Sequence, residues 1–252
     1  MGDANAPHYT EPTTTYWQEI LPQGTDGGKP DEATGPWRFF YPARLPDGST
    51  LRLPIRQLPR SSFSEPLHAV ASLIMNQGSL SVTDTLGQMI AAKVAPYTPD
   101  ITVVLPTLGL AFGPVVAKAL GHIRYVPMGY SIKFWYREEL SVPVSSVTSP
   151  TEGAKRLYLD PNLVPLLVGD VEDVSAEGGK RKRRVALIDD AVSSGKTVVA
   201  AKRMLEEKLG VNVAVIGVAM LQGEKWRDIV DTDVAQVVGV FKSPLLTAVE
   251  DG

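Results

Sequence analysis

Asp189 and Asp190 stand side by side in the chain, directly after the aliphatic run Val185, Ala186, Leu187 and Ile188 and directly before Ala191, Val192, Ser193, Ser194, Gly195, Lys196 and Thr197. Two adjacent carboxylates can accept hydrogen bonds from two vicinal hydroxyls, as on a ribose, and they repel a phosphate. A phosphate must therefore sit further along, where the small residues lead into a helix whose unpaired N–H groups and positive dipole end suit an anion. Ser194 and Thr197 add hydroxyl donors, and Gly195 takes a positive φ at little cost. The run Ser194-Gly195-Lys196-Thr197 has the tail of a triphosphate-binding loop. The glycine such a loop requires five residues before Gly195 is Asp190 here, a carboxylate that would repel the triphosphate. An ordinary strand-to-helix turn with a solvated acidic edge seldom combines paired acids, a small-residue run and a helix-opening Thr.

The elements that position these residues follow from periodicity. The aliphatic run suits a buried parallel strand ending at the acid pair, on the carboxyl edge where open α/β sheets bind ligands. Further strands are expected at 101–105, 123–127, 156–159, 213–220 and 237–241, and helices at 65–77, 83–94, 111–120 and from Thr197 to about Leu209, with Ser81 and Thr83 as candidate caps and a short helix around Trp226. Alternating strands and helices imply a parallel sheet covered on both faces. Upstream, residues 37–58 alternate around Pro46-Asp47-Gly48 as a hairpin, and residues 1–36 read as an irregular arm with Tyr16 and Trp17 as its one aromatic island. Segment 128–150 is long, polar and aromatic, with Phe134, Trp135 and Tyr136 in succession. Segment 170–184 is acidic and then basic, and its basic run, Lys180 to Arg184, reads as a solvated loop rather than a nucleic-acid contact.

Composition is consistent with one enzyme core. At 252 residues the chain can bury a sizeable core with length left for a tail. A net charge of −3 offers no general attraction to nucleic acid or anionic membrane. Without cysteine there is no disulfide and no thiolate chemistry. His8, His68 and His122 are scattered, without metal-ligand spacing. With no signal-peptide pattern and no membrane-length apolar run, the cytoplasm is the expected location.

Segment 185–197 resembles the signature of the type I phosphoribosyltransferases that binds phosphoribosyl pyrophosphate (PRPP): an apolar strand, two acids, then a short Ser/Thr/Gly loop. From about Leu67 onward the chain is most similar to the adenine phosphoribosyltransferase-like branch, through Pro106-Thr107-Leu108-Gly109, Phe112-Gly113-Pro114, Tyr125-Val126-Pro127-Met128, Glu138-Glu139-Leu140-Ser141-Val142 and the closing 237–249. The resemblance implies an α/β, parallel-sheet, Rossmann-like type I phosphoribosyltransferase fold over 37–252, with a small hood subdomain from about 37–60 and 219–235 behind the 1–36 arm.

It also implies roles. Asp189 and Asp190 hold the ribose hydroxyls, residues 191–197 hold the 5-phosphate, and Thr107, Leu108 and Gly109 form the pyrophosphate loop. Mg2+ rides mainly on PRPP, touching the protein through Asp189 and Asp190. The partners are PRPP and a small heterocyclic base, and the assembly is a homodimer. The resembled enzymes carry Arg at the position of Leu108 and a basic pair at Gly129-Tyr130, so Lys133 and Arg137 are the nearest cations to act with Asp190 in catalysis, with Glu139 shielding the reaction or assisting proton movement. Ser193 stands where 6-oxopurine enzymes have an Asp, which points away from such bases. Phe39, Phe40, Leu221 and Trp226 are the candidate walls for the base. The missing cations leave open a PRPP- or nucleotide-binding regulator without catalysis.

Overall fold

Short runs apolar on both faces must lie inside a sheet covered on both sides, and this requirement organises the chain. The computed structural model describes residues 13–24, 35–58, 68–144, 155–173, 179–228 and 236–249. In chain order its elements are β1 (Phe40–Arg44), β2 (Thr50–Gln57), β3 (His68–Ala71), α1 (Leu80–Val94), β4 (Ile101–Val104), α2 (Gly113–Ala119), β5 (Tyr125–Gly129), β6 (Ser141–Pro143), β7 (Arg156–Leu159), β8 (Asp170–Asp173), β9 (Gly179–Lys182), β10 (Arg184–Val192), α3 (Lys196–Leu209), β11 (Asn212–Gln222), β12 (Gln236–Ser243) and β13 (Leu245–Thr247). The large sheet runs β12-β11-β10-β4-β5-β7-β6. Its first five strands are parallel and the β5–β7 and β6–β7 pairs antiparallel. One face buries Val82, Leu86 and Ile90 of α1 with Phe112 and Val116. The other buries Val198, Ala201, Met204 and Leu205 of α3. This is the mixed α/β, mostly parallel architecture expected.

A second, antiparallel sheet has the order β1-β2-β3-β13. Its hairpin turns where expected: Gly48 takes φ +83° and Asp47 accepts hydrogen bonds from the N–H and hydroxyl of Ser49. The fourth strand comes from the chain end, beyond 219–235. The irregular arm is anchored, with Tyr16 and Trp17 both buried; residues 1–12 and 25–34 lie outside the described residues.

Several expectations need correction. The helix at 65–77 is not formed: residues 65–67 lie outside the described residues, His68–Ala71 is β3, and only Met75–Gln77 makes a 3₁₀ turn. The backbone groups of β3 are taken by ladders to β2 and β13, a tertiary demand that overrides a four-residue apolar spacing. Helix α1 starts earlier than 83, because Ser79 rather than Ser81 or Thr83 caps it, accepting from the Val82 N–H at 3.2 Å. The strand expected at 123–127 begins at Tyr125, leaving Ile123 99% exposed in the turn after Gly121. Segment 170–184 contains a hairpin, β8 against β9, in which Asp170 faces Lys182 and Glu172 faces Lys180. Arg181 forks onto Asp100 at 2.6 and 2.9 Å. Burial opposes ionisation of Asp100, yet that fork and the Arg184 N–H hold it below the usual carboxylate range. Among the described residues no helix is long and apolar enough to cross a membrane.

Candidate functional site

Strand β10 lies between β4 and β11, and its neighbours end at different heights. Pairing with β4 stops at Ile188, whereas pairing with β11 continues to Val192 and Leu221. The strand therefore runs through the acid pair instead of ending there, since β11 is long enough to keep its backbone groups bonded. On the β4 side the chain leaves the sheet after the Leu105 N–H bonds Ile188 O at 2.9 Å. Open α/β sheets place their ligand crevice at such a divergence, here beside Asp189 and Asp190.

The crevice is closed below by the loop after β4. A Cβ on Gly109 would lie 2.8 Å from Asp189 Oδ1 and 2.9 Å from Asp189 Cα, so only glycine lets this loop rest on the acid pair. The Pro106–Thr107 peptide is cis, Thr107 is exposed and Leu108 half-buried. Asp189 is 7% exposed, and its Oδ1 accepts the Asp190 N–H at 2.9 Å. Burial, then the charge of Asp190, push the Asp189 carboxyl well above the usual range, and burial raises Asp190 as well. Two hydroxyl donors or a cation would relieve both.

Beyond the acids, Val192 is buried in the core. Ser193, Ser194 and Thr197 are half-buried and Lys196 is exposed. Gly195 is the N-cap of α3 at φ +75° and offers no side chain to the first-turn N–H groups. The first turn of α3 thus has no side-chain cap, which leaves its N–H groups available to an anion. Asp189, Asp190, residues 191–197 and Gly109 are thus gathered at one edge.

The remaining candidates lie on other elements. Lys133, Arg137 and Glu139 are exposed on the segment between β5 and β6, which is anchored by buried Leu140. On that segment Trp135 Nε1 donates to Asp160, and the rings of Phe134, Trp135 and Tyr136 form a chain of edge contacts ending on Tyr158. Leu221 and Trp226 are packed in the core beneath α3, and Trp226 Nε1 donates to Gly223 O at 3.1 Å. Phe40 packs against the other core, with the Arg52 guanidinium 5.0 Å from its ring centre; Phe39 is half-buried beside Arg38.

Sequence reasoning missed two residues. Tyr130, just past β5, has its phenol pushed up to about 12 by burial and then by the charges of Asp189 and Asp190. Lys155 places its ammonium 3.7 Å from the centre of the Tyr130 ring. Tyr130 was signalled only as the position where related chains carry a cation, and an isolated Lys before a strand gives no signal.

For magnesium the donor set is restricted. Among the described residues no cluster of three or more His, Cys, Asp or Glu side chains could hold a metal. Two buried carboxylates raised by their surroundings are hard oxygen donors that suit Mg2+ as a minority of its ligands.

The family model described as "Phosphoribosyl transferase domain" matches residues 75–242. Among solved structures the chain is similar to an APRTase from Giardia lamblia complexed with 9-deazaadenine, at 18% identity, covering 75% of this chain and 93% of that one, with a TM-score of 0.52. It is also similar to an adenine phosphoribosyltransferase from Rhodothermus marinus DSM 4252, at 18% identity, 75% and 93% coverage and a TM-score of 0.50. At this identity the likeness is one of fold. No curated protein matches the chain.

Proposed function

The chain belongs to the phosphoribosyl transferase domain family, whose model spans residues 75–242, and is a phosphoribosyltransferase; we propose that it moves the phosphoribosyl group of PRPP onto a purine or purine-like base, adenine-type rather than 6-oxopurine, releasing pyrophosphate. The observation that carries this reading is the acid pair, Asp189 buried and Asp190 half-buried, followed by the first turn of α3, which no side chain caps, and packed against the glycine of the loop after β4. In it, Asp189 and Asp190 accept from the ribose hydroxyls, the N–H groups of 191–197 hold the 5-phosphate, and Thr107, Leu108 and Gly109 receive the pyrophosphate. The lack of an Asp at Ser193 and the purine analogue named for the Giardia lamblia structure support an adenine-type acceptor.

The reaction breaks the bond from ribose C1 to the pyrophosphate oxygen, and the electron pair leaves on that oxygen. A ring nitrogen of the base supplies the pair for the new bond to C1, and its proton passes to solvent. The protein positions the sugar, meets the departing charge and excludes water. Asp189 and Asp190 would hold magnesium arriving with PRPP, which would supply charge neutralisation for the pyrophosphate. Lys133 and Arg137 meet the departing pyrophosphate as their segment closes, and Glu139 shields the site. The small sheet and the chain after β11 form the hood, and Phe40 supplies the base-facing wall. Leu221 and Trp226 support it from the core in which they are packed. The same reading makes the protein a cytoplasmic homodimer, an assembly that would cover apolar side chains standing in solvent, such as Ile123 and Phe134.

The test is incubation with magnesium, PRPP and a panel of purines, pyrimidines and other heterocycles, with products read by mass spectrometry. A nucleotide from an adenine-type base is expected. PRPP binding without turnover on any base would instead make this a PRPP-binding regulator. Asp190→Asn is expected to weaken PRPP binding by about 1–3 kcal/mol, the range for hydrogen bonds to charged groups. Unchanged affinity in calorimetry would remove the ribose assignment.

A further inference from the structure

We propose that Lys155, seated on the ring of Tyr130, is the standing cation for the pyrophosphate end of PRPP. This rests on the reading above and deepens it. The strand order places β4, β5 and β7 successively beside β10. The parallel strands β10, β4 and β5 bring to one edge the acid pair, the loop after β4 and Tyr130. Strand β7 is antiparallel to β5, so it is the start of β7, not its end, that lies at this edge. Lys155 immediately precedes that start, and its carbonyl accepts the Val144 N–H at 2.8 Å, fixing the backbone beside β6. Its side chain reaches across to Tyr130, with Nζ 3.7 Å from the ring centre. Along the edge the sequence of groups is therefore ribose acceptors, pyrophosphate loop, phenol, ammonium.

The electrostatics give this order a purpose. PRPP brings several negative charges to a crevice that already holds two carboxylates, and something positive must stand at its far end. Lys196 opens α3, at the 5-phosphate end. Lys133 and Arg137 are exposed on the segment after β5, and Leu108 leaves the pyrophosphate loop without a cation of its own. Lys155 is already in place, its charge steadied by the aromatic face. Burial, and then the charges of the acid pair, keep the phenol of Tyr130 protonated, so it can donate to the same anion.

The discriminating probes are PRPP and ribose 5-phosphate, which share everything except the pyrophosphate. Calorimetry in the presence of magnesium on the full chain, with Lys155→Met and Lys155→Arg, measures the ratio of the two affinities. Lys155→Met is expected to shrink that ratio by about tenfold or more, with ribose 5-phosphate binding unchanged, and Lys155→Arg to keep most of it. Unchanged ribose 5-phosphate binding also shows that the variant is folded. The same ratio in wild type and Lys155→Met overturns the proposal, as does equal weakening of both ligands while Lys155→Arg restores neither. If wild type binds ribose 5-phosphate as tightly as PRPP, no cation serves the pyrophosphate, and Lys155 loses its role while the ribose-phosphate site stands. If wild type binds neither, the function proposed above fails first.

Discussion

At the scale of single residues, the ribose-binding role proposed for Asp189 and Asp190 comes at a cost to the unliganded fold. A carboxyl whose folded pKa lies above its ordinary value holds a proton that the unfolded chain gives up. The stability it lends is complete below the ordinary carboxylate range and is lost as pH rises through the raised value. At neutral pH both acids therefore strain the ligand-free protein. Asp189→Asn removes the carboxyl whose ionisation burial opposes, while its amide oxygen can still accept the Asp190 N–H. It is expected to stabilise the unliganded protein by about 1 kcal/mol at pH 7, about 2–4 °C in Tm, with the gain vanishing toward pH 4. The same variant should bind PRPP more weakly, a trade of function against stability. Thermal melts across pH with and without PRPP check both halves, and a lower Tm at pH 7 would contradict the reading. The acids and Gly195 were readable from sequence because their meaning is local: strand, acids, small residues and helix follow one another along the chain. Tyr130 and Lys155 were not, because Tyr130 enters the field of the acids only once β4 and β5 pair beside β10, and Lys155 meets Tyr130 only once β7 turns back antiparallel beside β5.

At the scale of elements, the site depends on how closely the loop after β4 lies on β10. Gly109→Ala would place a methyl 2.8 Å from Asp189 Oδ1 and 2.9 Å from its Cα, a backbone contact that cannot swing away. The loop must lift, at about 1–3 kcal/mol for overpacking, and PRPP affinity should fall with it. Urea unfolding and calorimetry measure the two effects, and a variant with wild-type values in both would show that the loop adapts freely. Sequence patterns found β4, β10, α3 and β11 because each is a continuous apolar run or amphipathic stripe. They misread 65–77, where Val70, Ala71 and Ile74 mimic a helical face although β2 and β13 claim the backbone of His68–Ala71. They also misread the acidic and basic stretch 170–184, because cross-strand pairing of opposite charges leaves no hydrophobic period to detect.

At the scale of the whole molecule, the two sheets are joined by residues that composition alone assigned to an irregular arm. Trp17 is 1% exposed, its Nε1 donates to Ser72 O at 3.0 Å just past β3, and its carbonyl accepts the Ser79 N–H at 2.9 Å at the start of α1. Nearby, Leu21 bridges to Thr50 at the head of β2, and Gln222 at the end of β11 donates to Ala71 O at 2.9 Å. The arm thus wedges the small sheet against the large one, and the Tyr16-Trp17 island was its only trace in the sequence. Trp17→Ala leaves a cavity between the sheets and a buried carbonyl without its donor, a loss of about 3–5 kcal/mol, a substantial share of the roughly 5–15 kcal/mol that holds a domain folded. Trp17→Phe keeps most of the packing and loses mainly the hydrogen bond, so about 1–3 kcal/mol is expected. On the function proposed above, the ribose-phosphate site belongs to the large sheet and the base-facing wall to the small one, so Trp17→Phe should lose turnover with the base before it loses affinity for PRPP. Urea denaturation orders the two variants, and kinetics against PRPP and base separate the two sheets. If PRPP affinity falls as far as turnover in Trp17→Phe, the wedge acts on the crevice itself and the division of labour between the sheets is wrong.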